Sequence, residues 1–137
     1  MGLLWHTEKI YHNFILELDW KVHHKADNSG VFVRFPYRDN GPMIAVNNGY
    51  EMPDGNPIHQ TGAIYGFAAA SKQIVSKEAG RWNVFDIHVT GQKYTVILNN
   101  KIVTEFVGNR SLQGYIGLQS HDSKSQVSFR NIRIKET

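Results

Sequence analysis

Cysteine is missing altogether from these 137 residues. Its absence rules out a disulfide framework, a thiolate nucleophile and a Cys-based zinc site. None of these is needed for stability, because a domain of this size buries about two-thirds of its unfolded surface. The compartment stays open, since a secreted domain can also manage without bridges. One domain over residues 1–137 is expected from the length.

Charge of one sign is equally scarce. The formal net charge is +3 with histidines neutral, and Lys and Arg are scattered without a run. A nucleic-acid partner, which calls for a basic stripe or patch, is not expected. No stretch approaches the apolar length of a membrane helix, and Met1-Gly2-Leu3-Leu4-Trp5 has none of the order of a signal peptide. A soluble chain with no membrane partner is expected, and a secreted or periplasmic parent protein is compatible with this start. Helix signals are few, since Ala68-Ala69-Ala70-Ser71-Lys72 is short, lacks an amphipathic face and reads as loop.

What fills the chain is alternation. Phe14, Leu16, Leu18, Trp20 and Val22 fall on every second position, with Glu17, Asp19, Lys21 and His23 between them. That is the period-two pattern of a half-buried strand. Val31, Val33 and Phe35 repeat it, with Phe32 and Arg34 facing the other way. So do Phe85, Ile87 and Val89; Tyr94, Val96 and Leu98; Ile102 and Phe106; and Ile116 and Leu118. In the last run Val127 and Phe129 differ in parity from Ile132 and Ile134, so a bulge near Arg130-Asn131 is expected to restore the inward face. Turn signals separate the runs: Asp27-Asn28-Ser29-Gly30, Asp39-Asn40-Gly41-Pro42, Asp54-Gly55-Asn56-Pro57, Gly91-Gln92 and Asn99-Asn100. Asn99-Asn100 predicts a two-residue hairpin, because Asn tolerates positive φ. Short strands at roughly ten-residue spacing point to an all-β sandwich or barrel.

Several chemistries lack their signature. There is no Gly-x-Ser elbow, no Gly-rich phosphate loop before a helix, and no His-x-His or His-Glu-x-x-His. Asp39-Asn40 and Asp54-Gly55-Asn56 carry oxygen ligands that suit calcium but are ordinary turn residues too. No metal and no cofactor is assigned.

Four segments together resemble the 3-keto-disaccharide hydrolase family, formerly a domain of unknown function. They are Leu3-Leu4-Trp5 leading into Asn13-Phe14-Ile15-Leu16; Asn28-Ser29-Gly30-Val31-Phe32-Val33-Arg34; Gly49-Tyr50-Glu51 with Thr61-Gly62-Ala63-Ile64-Tyr65-Gly66; and Trp82-Asn83 through Gly114-Tyr115-Ile116-Gly117-Leu118-Gln119 to Arg130-Asn131-Ile132. The resemblance runs in order over nearly the whole chain. It implies a concanavalin A-like jelly-roll sandwich of two antiparallel sheets and action on 3-keto glycosides. In that chemistry the ketone at C3 acidifies the hydrogen at C2, and the glycosidic bond breaks by elimination followed by water addition. A base, a polariser for the ketone and an acid for the leaving oxygen are required. Set against the family, the chain is expected to lack the usual N-terminal strand region. Glu51 is also followed directly by Met52-Pro53-Asp54-Gly55, without the family's apolar-Gln-apolar run.

Against that background Glu51 is the candidate base or acid, since a carboxylate in a partly dry cleft can hold its proton to higher pH. Arg34 is the candidate polariser: alternation places it opposite the valines of its strand, on the face of Asn28 and Phe32, where a guanidinium offers directed donors. The plainer readings are a surface Arg and a carboxylate paired with it for structure alone. His59, before Gln60-Thr61-Gly62, can exchange protons near neutral pH, and His121 is the second choice among seven histidines. Gln119 both donates and accepts, which suits a sugar hydroxyl, and Asn28 lies on the Arg34 face. Tyr65, Trp82 and Tyr115 offer rings to a sugar, although a buried aromatic is the commoner role and Trp82 reads as a structural plug. Arg34, Glu51, His59 and Gln119 are expected to converge on one concave face.

Three functions compete. A hydrolase acting on 3-keto glycosides or disaccharides is the leading expectation, a non-catalytic carbohydrate-binding module of a larger protein is the second, and a structural or adhesion domain is the third. A carbohydrate ligand and self-association through an exposed sheet edge are the expected partners.

Overall fold

In the computed structural model the described residues are 2–35, 44–48 (backbone only), 56–71 and 76–137. Among the described residues nine strands are placed: β1 Gly2–Trp5, β2 Phe14–Val22, β3 Ser29–Phe35, β4 Ile44–Asn48, β5 Asn83–Thr90, β6 Lys93–Leu98, β7 Lys101–Val107, β8 Tyr115–Ser120 and β9 Val127–Glu136. Among the described residues the only helical element is a single 3-10 turn, Pro57–His59, capped by the Asn56 side chain accepting from the Ile58 N–H at 3.2 Å.

The strands form two antiparallel sheets. A front sheet runs β1-β8-β3-β4 and a back sheet β7-β6-β5-β2-β9. The architecture is the concanavalin A-like jelly roll. β2 alternates buried and half-buried over its whole length, because Phe14, Leu16, Leu18, Trp20 and Val22 point inward while Glu17, Asp19 and Lys21 do not. Phe85, Ile87 and Val89 of β5 and Tyr94, Val96 and Leu98 of β6 extend the same layer, and Val31, Val33 and Ile116 close it from the front sheet. Leu118 is only partly buried against this core. Each large apolar side chain so enclosed contributes about 1.5–3 kcal/mol relative to exposure.

Local chemistry sets the turns and registers. Asn99 and Asn100 have φ of +50° and +68°, the left-handed pair that a primed two-residue hairpin requires. The parity change in β9 is resolved by a bulge: Asp19 pairs Arg130 and Glu17 pairs Arg133, leaving Asn131 and Ile132 together opposite Leu18. Asn131 takes φ +53° there and its amide donates to Asp19 Oδ2 at 2.9 Å. At the β7 edge of the back sheet, residues 56–71 pack against the strand. Ser71 N–H donates to Val103 O at 2.7 Å and Thr104 Oγ1 to Gly62 O at 2.8 Å.

One register departs from simple alternation and matters for function. Phe32 pairs Gly117 and Phe35 pairs Tyr115, so β3 advances three residues while β8 advances two. Val33 and Arg34 share the place opposite Ile116 and both turn inward. Phe35, expected in the core, returns to the outer face.

Candidate functional site

The outer face of the front sheet is built from β1, β8 and β3. Cross-strand pairing sets Leu3 beside Gln119, Trp5 beside Gly117, Gly117 beside Phe32 and Tyr115 beside Phe35. All of these side chains leave the side opposite the core. Trp5 meets Tyr115 edge-on at 4.9 Å and Phe35 at 5.3 Å, and the Phe35 and Tyr115 rings are 5.8 Å apart. Phe35 and Phe32 are buried, whereas Trp5, Tyr115 and Gln119 are half-buried. Gly117 makes the close packing feasible: a Cβ there would stand 3.1 Å from both Leu3 Cδ1 and Phe35 Cε1. The result is an aromatic floor with an amide at one end.

That end is braced by two loops. Ser29 Oγ donates to Gln119 O at 2.6 Å, and Asn28 N–H donates to Ser125 Oγ at 2.9 Å. Asp122 organises the β8–β9 loop. His121 Nδ1 lies 2.7 Å from its carboxylate, and the N–H groups of Ser125 and Lys124 and the Ser125 hydroxyl also bind it. The hydrogen bond from His121, then those from Ser125 and Lys124, hold the Asp122 carboxyl well below the usual carboxylate range. Asn28, Gln119 and His121 are thus gathered at one end of the front sheet, with His121 exposed and engaged with Asp122.

The other predicted residues lie elsewhere. Arg34 does not look out over this face. It is 2 % exposed and its φ is +53°, which turns the side chain through the core to the back sheet. Nε and Nη2 donate to His12 O at 3.2 and 2.6 Å, Nη1 to Gly91 O and, at 3.2 Å, to Tyr94 Oη. The guanidinium also stands 5.4 Å over the Tyr94 ring. The expectation for Arg34 failed because alternation was carried through a bulge. His59 stacks on Tyr65 at 4.5 Å with an interplanar angle of 18°. Both belong to the segment tied to the β7 edge of the back sheet, so the structure does not bring them together with Gln119. Glu51 lies outside the described residues, as do Asp39-Asn40 and Asp54-Gly55. Trp82 lies just ahead of β5, between the Arg130 guanidinium at 3.9 Å and the Lys21 ammonium at 4.8 Å. It is a half-buried surface clamp. Among the described residues no three His, Asp or Glu side chains form a metal-binding group.

Sequence reasoning named Tyr115 and Gln119 but missed Trp5, Leu3 and Phe35 as parts of this surface. β1 carries no polar alternation to mark a face, and Phe35 changes sides at the bulge.

The model of the 3-keto-alpha-glucoside-1,2-lyase-like domain matches residues 1–135. The chain belongs to that family. Among solved structures, it is similar to a protein of Parabacteroides distasonis provisionally named a glycosyl hydrolase, with 30 % identity and a TM-score of 0.86 over 98 % of this chain and 83 % of that one. A second provisionally named glycosyl hydrolase of that organism gives 21 % identity and a TM-score of 0.77 over 96 % and 73 % of the two chains. A carbohydrate-binding module from Bacillus subtilis gives 14 % and 0.67 over 94 % and 78 %. The last two likenesses carry the fold alone. No curated protein matches the sequence. The family member described here is therefore a carbohydrate-related jelly-roll domain.

Proposed function

We propose that this family member takes a glycoside on the outer face of the front sheet and cleaves 3-keto glycosides there. The observation that carries the reading is the floor formed by Trp5, Tyr115 and Phe35, with Gln119 beyond it. Tyr115 and Gln119 are four residues apart on one strand, about 13 Å, a span suited to two sugar rings. Sugar C–H groups pack on aromatic faces, and a few placed polar groups orient the hydroxyls.

The reaction is an elimination. A base removes the proton at C2, the electrons form the C1=C2 bond, and the C1–O bond breaks as the leaving oxygen gains a proton. Water then adds across the double bond to give the free keto sugar. Glu51 is proposed as the base. An amide such as Gln119 can donate to the C3 ketone as charge develops on it. Arg34 is left out, because its donors are spent on the carbonyls of His12 and Gly91 and the hydroxyl of Tyr94.

A second reading, a binding module without turnover, is favoured by one feature: among the described residues of β1, β3 and β8, no carboxylate lies on this face. Incubation with methyl 3-keto-α-glucoside and methyl α-glucoside, read by product mass, separates the two. Cleavage of the keto sugar that Glu51→Gln abolishes without loss of binding supports the enzyme. Binding without product supports the module. Retention of full affinity in Trp5→Ala removes this face from both.

A further inference from the structure

We infer that Arg34 is a positioning residue for this site, its buried guanidinium holding the β3 bulge that turns Phe35 outward under Trp5 and Tyr115. The inference rests on the proposed use of that face for sugar. Were β3 regular, Arg34 would point outward and Phe35 would enter the core, and the floor would lose its central ring. The extra residue in β3 reverses both. A residue other than glycine keeps a left-handed φ only where its surroundings over-determine it, and here they do. The guanidinium binds two segments remote in sequence: the His12 carbonyl just before β2, and the Gly91 carbonyl with the Tyr94 hydroxyl where the β5–β6 turn enters β6. Charge-assisted bonds from a guanidinium that is itself buried are the stronger kind.

The backbone of the bulge is clamped from the neighbouring strand as well. A Cβ on Gly114 would come within 2.6 Å of Arg34 Cα, so only glycine allows the chain before β8 to lie against it. From there the geometry passes directly to the site: Phe35 follows Arg34, pairs Tyr115, and its ring lies 5.3 Å from Trp5. Arg34 touches no sugar in this scheme and acts through Phe35.

The test is Arg34→Lys, which keeps the charge but loses the planar fork. Two readouts are taken: the indole N–H resonance of Trp5, assigned with Trp5→Phe, and titration with methyl 3-keto-α-glucoside. The Trp5 resonance should move while that of Trp82 stays, and affinity should fall about tenfold. In a Phe35→Leu background the same Arg34 substitution should cost no further affinity, because the ring it positions is gone. A folded Arg34→Lys protein with an unmoved Trp5 resonance overturns the inference, as does equal loss in both backgrounds. If Arg34→Lys does not fold, Tyr94→Phe removes one of the guanidinium's acceptors and carries the same readouts, and an unmoved Trp5 there is equally decisive. A wild-type protein that takes no glycoside defeats the proposed function instead, and the Trp5 resonance alone then decides whether Arg34 positions the floor.

Discussion

Asn83 and Asn99 are joined side chain to side chain, the Asn99 amide donating to Asn83 Oδ1 at 3.0 Å. Asn83 opens β5 and is fully buried, and the same oxygen accepts Lys77 N–H at 2.7 Å. Asn99 Oδ1 in turn accepts Val84 N–H at 2.9 Å. Asn99 therefore shares the β6–β7 turn with Asn100 and also ties that turn to β5.

Asn99→Ala removes the two bonds of this side chain and puts at a left-handed φ a residue without asparagine's tolerance of it. It should cost about 2–3 kcal/mol and lower the melting temperature by roughly 5–10 °C. Asn99→Gly relieves the backbone but not the lost bonds, so it should melt between the two. Thermal scans of the three proteins check the order, and an unchanged melting temperature in the Ala variant would contradict it.

Gly114→Ala should be among the most damaging small substitutions in the chain. The added methyl falls on the backbone of Arg34, 2.6 Å from its Cα, and backbone cannot swing aside as a side-chain end can. A loss of about 3 kcal/mol is expected from such overpacking, measured by urea unfolding. Wild-type stability in this variant would mean that the two segments are not in contact.

Asp27 gives the fold an acid-sensitive element. Burial pushes its carboxyl up, but the N–H groups of His24, Gln126 and His23, with the charge of His24, outweigh this and leave it below its ordinary value of 3.8. A carboxyl depressed on folding stabilises the protein above the unfolded value and loses that contribution as pH falls through the folded one. Asp27→Asn should therefore be less stable than wild type by about 1–3 kcal/mol near pH 6, with the gap closing as pH drops below 3.8. Urea midpoints across that range decide it, and a gap that does not depend on pH would rule out this cause.

The Trp82 clamp is a surface feature and should behave as one. Arg130 also pairs Asp19 at 3.0 Å and is half exposed, so Arg130→Ala should cost about 1 kcal/mol or less. The emission of Trp82 should still change, because the cation 3.9 Å from its ring is removed. Sugar affinity should not change, since the clamp lies on the back sheet.

The sequence made the sandwich legible because most strands keep strict alternation, and β2 keeps it for nine residues. The β9 bulge was legible too, since Val127 and Phe129 disagree in parity with Ile132 and Ile134 and an Asn stands at the join. The β3 bulge carried no such mark. Val31, Val33 and Phe35 agree in parity, and Arg is not a residue that announces a left-handed φ. A single missed insertion exchanged the faces of Arg34 and Phe35, and with them a proposed catalytic cation and a platform ring. Gln119 lies on the face that alternation gives it because β8 is regular, while the link of His59 to Tyr65 depends on a loop fold that no periodicity encodes.

The strand order of the back sheet has a consequence for synthesis. β2 lies between β5 and β9, and its far edge pairs residues 127–136, with Phe14 opposite Glu136 and Val22 opposite Val127. Throughout translation of the intervening hundred or so residues, that edge has no partner of its own, and unpaired strand edges are what nascent chains aggregate through. The back sheet can therefore close only after β9 has been made. Premature termination anywhere before residue 127 should yield insoluble product rather than a smaller folded domain.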